Sequence, residues 1–190
     1  MTDRLTAWFP LLLLMVLAGL TFWLDRAVQP APANRDGSKR HDPDYIIENF
    51  SALRLDANGK PRHQLAARRM LHFPDDDSTQ LDEPRFVRFE PGKASLSVTS
   101  RSALVSSNGE NVYFDQAVKV VRGAYSTRSE LVVTTEYLHV IPEADIAKTD
   151  RAVRIVDANT KIEAVGLELN NKAQTVKLLA NVKGTYVKRK

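Results

Sequence analysis

The sequence predicts a membrane-anchored domain built almost entirely of antiparallel β-strands. Two observations support this prediction. The first is a nearly unbroken apolar run at residues 5–24, and the second is a series of alternating or β-branched segments separated by turn residues. No stretch beyond the apolar run shows a helical period of useful length. The 190-residue chain has no cysteine, which excludes disulfides, thiol nucleophiles and thiolate metal sites.

The apolar run contains no charged residue. Twenty helical residues rise about 30 Å, which is the hydrocarbon thickness of a bilayer. The run is longer than the apolar core of a signal peptide, so we expect an uncleaved transmembrane helix over residues 5–24. Residues 1–4 then form a short cytoplasmic head, and the remainder crosses the membrane. Residues 25–43, with three prolines and no apolar periodicity, are expected to form a linker.

Residues 44–190 are close to the common size of a single domain. Asn58-Gly59 and Asn108-Gly109 are the strongest hairpin signals in this part of the chain. A loose repeat of strand, turn and return strand also runs through it. Because one hairpin cannot bury its apolar face alone, the units must stack as a layered sandwich, a β-solenoid or an open roll. The predicted strand segments are 45–55, 85–89, 96–105, 112–114, 118–121, 131–140, 153–156, 162–169, 175–179 and 182–187.

No residue pattern in the chain indicates catalysis. The histidines lack metal-site spacing, and no serine lies in a nucleophile motif. The acidic run Asp75–Asp77 lacks the alternating ligands of a calcium loop and is interpreted as a solvated turn. The net charge of +4 is scattered rather than clustered, which argues against nucleic acid as a partner. We therefore expect no enzyme activity, no cofactor and no metal site.

Apolar residues two positions apart recur along the predicted strands, and such pairs share one face of a sheet. On these residues alone, the face is either an ordinary sandwich core or a hydrophobic trough that holds acyl chains. The candidate lining residues of such a lipid-binding groove are Val112, Phe114, Val118, Val120, Leu131, Val133, Val153, Ile155, Leu167, Leu169, Val176 and Leu178.

The chain as a whole resembles the LptC family, the bitopic inner-membrane component of the bacterial lipopolysaccharide export machinery. The segment Met70–Asp77, with Leu81 and Pro84, is similar to an element of that family. The resemblance extends over nearly the whole chain. The other similar segments are 58–61 with 65–67, 109–120, 162–167 and 182–186.

This resemblance implies a twisted open β-jellyroll, a two-layer antiparallel β roll, on the periplasmic side of the bacterial inner membrane. It implies three partners: an inner-membrane ABC transporter, a periplasmic bridge protein of the same fold, and lipopolysaccharide. The acyl chains would lie in the apolar trough. We expect the first strand, with Tyr45 and Ile47, to pair with the transporter. The last strand, with Val182, Gly184 and Tyr186, would pair with the bridge protein.

A membrane-anchored structural or adhesion β-sandwich without lipid cargo is the alternative. Its core would be closed by its own side chains, so it would hold no lipid.

Overall fold

The computed structural model describes residues 3–28, 41–173 and 175–187. The chain divides into two compact units, Met1–Asp36 and Gly37–Lys190. Most of the predicted linker, residues 29–40, lies outside the described residues.

The first unit contains one helix, α1, at Asp3–Val28. It covers the apolar run of residues 5–24. The large apolar side chains described from Leu12 onward are exposed, including Leu17, Phe22 and Trp23. Within the described residues, no helix combines the length and the apolarity needed to cross a membrane. The structure therefore does not show the predicted membrane span.

The second unit is an antiparallel sheet in which eleven strands are described. This confirms the all-β prediction for this part of the chain. The strands are β1 (Tyr45–Leu55), β2 (Pro61–Phe73), β3 (Ser78–Asp82), β4 (Arg85–Arg88), β5 (Leu96–Thr99), β6 (Ser102–Val105), β7 (Val112–Arg122), β8 (Leu131–Ile141), β9 (Ile146–Val156), β10 (Thr160–Asn170) and β11 (Thr175–Tyr186).

The strands follow one another across the sheet nearly in chain order. β2 pairs with β1 on one side and with β3 and β4 on the other. β7 pairs with β8 on one side and with β5 and β6 on the other. In the described part of the chain, β1 and β11 each pair with one neighbour only, so the sheet has two free edges.

The long strands are interrupted, and the short strands β3 to β6 end, at the same level of the sheet. Asn49, Gln116, Gly166 and Asn181 have positive φ at this level within their strands, and Glu83 has positive φ between β3 and β4. An extra residue in one strand of a pair bends that strand. Because the interruptions face one another across the sheet, they bend it along one line. The full set comprises Asn49, Arg68, 83–84, 100–101, 116–117, Glu136, 150–151, Gly166 and Asn181.

The bend line divides the sheet into two layers, and their facing surfaces are called the inner face. The ends of the layers opposite the bend line are called the mouth. Layer 1 contains β3 and β6 with residues 45–48, 69–73, 112–115, 137–141, 146–149, 167–170 and 175–179. Layer 2 contains β4 and β5 with residues 50–55, 61–67, 118–122, 131–135, 153–156, 160–165 and 182–186.

The main core lies between the two layers. Ala67 and Val98 of layer 2 belong to the same buried cluster as Leu81, Ala103 and Phe114 of layer 1. Leu81 is only 1% exposed. This shared burial shows that the two layers pack against each other, which agrees with the expected two-layer roll.

The hairpin predictions at Asn58-Gly59 and Asn108-Gly109 are confirmed, since these pairs connect β1 to β2 and β6 to β7. Three predictions of strand bounds are wrong. Residues 96–105, predicted as one strand, form the two strands β5 and β6 on either side of residues 100–101. Residues 112–114 and 118–121 belong to the single strand β7, and residues 175–179 and 182–187 belong largely to β11. In the last two cases a bulge at the bend line breaks the sequence pattern without ending the strand.

Candidate functional site

The residues predicted to line a groove lie on the inner face of the sheet, where they join rows of directly opposed residues. One row in layer 1 crosses six strands. From β6 to β11 its members are Val105, Val112, Val140, Ala147, Leu169 and Val176.

A second row in layer 2 crosses almost the entire sheet and is apolar at every position named here. From β1 to β10 its members are Ala52, Leu65, Phe86, Val98, Val120, Val133, Ile155 and Ile162. Directly opposed residues share a face, so both rows line the same inner surface.

The remaining predicted residues lie in shorter rows of directly opposed residues. Phe114 pairs with Leu138 and Leu167 with Leu178 in layer 1. Val118 is joined through Thr135 to Val153 beside the bend. Leu131 pairs with Arg122 at the mouth, so its row is apolar only in part.

Burial separates the predicted residues into three groups. Phe114, Val118, Val153 and Leu167 are buried, whereas Val176 is 56% exposed. The others are half-buried: Val112, Val120, Leu131, Val133, Ile155, Leu169 and Leu178.

The inner face is filled unevenly. The main core belongs to β2 through β8, and a separate cluster beyond it contains only Val153, Ala164 and Leu167 as buried members. Ile155, Leu169 and Leu178 pack against that second cluster but remain half-buried. The part of the inner face between β9 and β11 is therefore apolar but incompletely covered by the chain's own side chains.

Two threonines interrupt this apolar surface. Thr135 and Thr149 are buried on the inner face. Thr149 accepts a hydrogen bond from the backbone N–H of Arg151 at 3.1 Å. The Thr135 hydroxyl has no hydrogen-bond partner in the described part of the chain. Neither residue was predicted as part of the site, because threonine is common in strands and its pattern carries no signal of its own.

The predicted partner residues lie on the two free edges. On β1, Tyr45 and Ile47 are exposed at 43% and 41%. On β11, Val182 and Tyr186 are exposed, and Gly184 lies opposite Ile162. A hollow of about 440 Å³ adjoins Val182 where β11 bends. It is lined by Glu163, Ala164, Val165, Asn181, Val182 and Lys183.

An ion pair crosses the mouth between the layers. Arg88, at the end of β4 in layer 2, lies 2.8 Å from Asp145 in the turn between β8 and β9 of layer 1. Arg88 also lies 2.6 Å from Glu90. A hydrogen bond from Lys93 is the largest influence on the pKa of Glu90, which is lowered. This contact could not be predicted from the sequence, because its partners are 57 residues apart.

Hydrogen bonds of two histidines connect the start of the domain to the turn between β2 and β3. His72 lies 2.8 Å from Asp44 and 3.0 Å from Asp77, and these hydrogen bonds raise its pKa. The Tyr45 ring stacks on His72 at a centroid distance of 4.7 Å. His41 is held in the same way, 3.0 Å from Asp75.

The acidic run lies in the turn between β2 and β3, as predicted. Side-chain oxygens of Asp75 and Asp76 and a ring nitrogen of His41 lie within 4.8 Å of one another. All three residues are exposed, and exposed acidic groups of this kind are common without a metal. Hydrogen bonding to Ser78 is the main cause of the lowered pKa of Asp76.

The fold and the site define an antiparallel β-sheet protein with a folded apolar inner face and, among the described residues, two edge strands that each pair on one side only. The family model described as lipopolysaccharide-assembly, LptC-related, matches residues 11–187. The chain therefore belongs to the LptC family, and the predicted resemblance is confirmed.

A search among curated proteins found no match. Among solved structures, the chain is similar to LptH, the LptA-homologous periplasmic component of the conserved lipopolysaccharide transport device from Pseudomonas aeruginosa. The two proteins are 8% identical, the match covers 78% of this chain and 97% of that one, and the TM-score is 0.48.

Proposed function

We propose that this chain carries lipopolysaccharide by holding its acyl chains against the inner face of the folded sheet. It would accept the lipid from an inner-membrane ABC transporter and pass it to a periplasmic bridge protein of the same fold. The observation that supports this most strongly is the continuous row of apolar residues from Ala52 on β1 to Ile162 on β10. An ordinary core needs an apolar centre, but it does not need an apolar row that nearly reaches both edges of its sheet.

The energetic reason is the cost of exposing hydrocarbon to water. Each exposed CH₂ group costs about 0.8 kcal/mol, so several acyl chains cannot cross an aqueous space without a continuous apolar path. The half-buried residues between β9 and β11 supply apolar surface that the chain's own side chains leave uncovered. Acyl chains bound there would cover this apolar surface.

Retention of lipopolysaccharide by the purified full-length chain tests this proposal. Ile155→Asp places a charge on the inner face, whereas Thr134→Asp places the same charge on an exposed position of the outer face. We expect the first variant to lose co-purifying lipid and the second to retain it, with folding checked by thermal unfolding. Equal retention would contradict the proposal and would favour a structural or adhesion sandwich without cargo.

The two free edges provide sites for two different partners. Unpaired edge groups are available for strand addition by another protein. We propose that β1 pairs with the periplasmic part of the transporter and β11 with the bridge protein. The chain has no recognisable nucleotide-binding motif, so the energy for transport would come from the partner ATPase.

Pull-down of the bridge protein tests the assignment of β11. Val182→Asp should reduce its capture, because the charge lies on the edge that the partner strand would cover. Leu53→Asp is the matched control on the opposite edge, where Leu53 is similarly exposed. Unchanged capture with Val182→Asp would refute the pairing.

We further propose that α1 attaches the chain to the inner membrane as a single-pass anchor and that the sheet lies in the periplasm. The exposed apolar side chains of α1 support this, because such a surface is unfavourable in water. Alkaline extraction of membranes should leave the full-length chain in the pellet. Protease added from the periplasmic side should digest the sheet and spare the head, and release of the chain by alkali would overturn the anchor.

A further inference from the structure

The inner face of layer 2 ends at the mouth in a row of residues that includes three arginines and is called the cationic row. Each member lies two positions along its strand from a member of the long apolar row, so it lies on the same face. From β1 to β8 the row consists of Arg54, His63, Arg88, Leu96, Arg122 and Leu131.

Two of these arginines have unused hydrogen-bonding capacity. Arg54 is exposed, and neither it nor Arg122 has an ion pair in the described part of the chain. Arg122 donates from Nη2 to the Ser129 carbonyl at 3.4 Å, but its buried Nε has no partner among the described residues. The carboxylate of the nearby Asp157 accepts hydrogen bonds from backbone N–H groups instead. A buried guanidinium N–H without an acceptor is unfavourable, so an anion placed here would gain from meeting it.

The arginines around His63 also affect its pKa. Burial lowers the pKa of His63, and the positive charges of Arg62, Arg88 and Arg54 lower it further. Glu90 offsets this only in part. His63 therefore lies in a positive electrostatic environment directly beside the apolar row.

We propose that this cationic row binds the phosphorylated headgroup of the lipid whose acyl chains lie on the inner face. This inference rests on the proposed function and extends it by assigning a place to the polar end of the cargo. With the chains directed from the mouth toward the bend, the headgroup would lie beside Arg54 and Arg122. Guanidinium groups suit phosphate because they donate two parallel hydrogen bonds.

The ion pair between Arg88 and Asp145 bears on the same proposal. Arg88 belongs to the cationic row, and Asp145 neutralises it from the opposite layer at 2.8 Å. A phosphate at the mouth would compete with Asp145 for the same guanidinium. Binding of the headgroup would therefore break the ion pair between Arg88 and Asp145.

A binding titration tests the proposal. The full-length chain in a non-ionic detergent is titrated with lipid A that carries its phosphates and with the same lipid after both phosphates are removed, and bound lipid is read by native mass spectrometry. We expect the Arg54→Gln/Arg122→Gln double variant to bind phosphorylated lipid A at least about tenfold more weakly than wild type. Its affinity for the dephosphorylated lipid should equal that of wild type. Arg122→Lys alone should also weaken binding of phosphorylated lipid A, because lysine keeps the charge but lacks the Nε–H and the two parallel donors of a guanidinium.

The matched control is Arg85→Gln/Lys119→Gln, which removes two exposed cations from the outer face of the same sheet. This variant should bind both lipids as wild type does. An equal loss of affinity in the control and the mouth variant would overturn the headgroup assignment, as would a mouth variant that binds phosphorylated lipid normally. If wild type binds both lipids equally, the headgroup assignment is wrong, but binding of the acyl chains on the inner face is still supported. If wild type binds neither lipid, the proposed function itself fails.

Discussion

Replacing Gly166 with alanine tests the bend that folds the sheet. Gly166 lies on the bend line in β10 with φ at +79°. An added Cβ would lie 2.8 Å from Cδ1 and 3.0 Å from Cβ of Leu179 on β11. A residue other than glycine costs about 1–2 kcal/mol in this left-handed conformation. The close contact with Leu179 adds about 1 kcal/mol of strain. This cost is no larger because the Leu179 side chain is exposed and can shift away in part.

We therefore expect Gly166→Ala to lower the free energy of unfolding by about 2–3 kcal/mol. For a chain of this size, that corresponds to a fall in Tm of about 5–10 °C. The measurement is thermal unfolding of the full-length chain followed by circular dichroism. Gly184→Ala is the control, because that glycine lacks a positive φ and its added Cβ would meet nothing within 4 Å. If the two variants unfold at the same temperature, the bend does not depend on glycine in β10 and the reasoning is refuted.

Two further predictions concern the mouth and the start of the domain. Asp145→Asn removes the charge that pairs with Arg88. The ion pair contributes about 1 kcal/mol, so we expect lipopolysaccharide uptake to become several-fold faster when the pair is lost. The control is Glu143→Gln in the same turn, and equal rates would argue against a role for the contact. The hydrogen bonds of His72 raise its pKa above 6.5, so its contribution to stability is complete below pH 6.5 and is lost as the pH rises through the folded value. An NMR titration should show this raised pKa and His72→Gln should abolish the dependence, whereas a folded pKa at or below 6.5 would contradict the assignment.

The antiparallel strands and the shared inner face could be predicted because they depend on local periodicity. Val118 and Val120 lie on either side of Lys119 in one strand, and the two-residue period places them on one face whatever the partner strand. The register that joins Val120 to Val133 and onward to Ile155 could not be predicted. Register depends on turn lengths and bulges along the whole sheet, and no short segment contains that information.

The bend line was the feature that sequence reasoning missed most clearly. Gln116 and Ala117 were interpreted as a gap between two strands, although they form a bulge within β7. Neither residue type usually adopts positive φ, so composition carried no signal. Gly166 and Asn181 are residue types that tolerate this conformation, but each was placed in or beside an ordinary strand.

The contacts at the mouth depend on the bend and were therefore also missed. Arg88 reaches Asp145 only because the two layers fold toward each other. The cationic row likewise becomes visible only through the register that places Arg54 beside His63 and Arg88. In the sequence, these arginines were counted as part of a scattered positive charge.

We propose that the inner face of the sheet, and not the outer face, meets the acyl chains of the cargo. The most direct test is to place a photo-crosslinking residue at adjacent positions of β7 in membranes that export lipopolysaccharide. Phe114 and Val120 lie on the inner face, and Tyr113 and Lys119 lie on the outer face. We predict lipopolysaccharide adducts at Phe114 and Val120 and none at Tyr113 and Lys119. Adducts confined to Tyr113 and Lys119 would contradict the account.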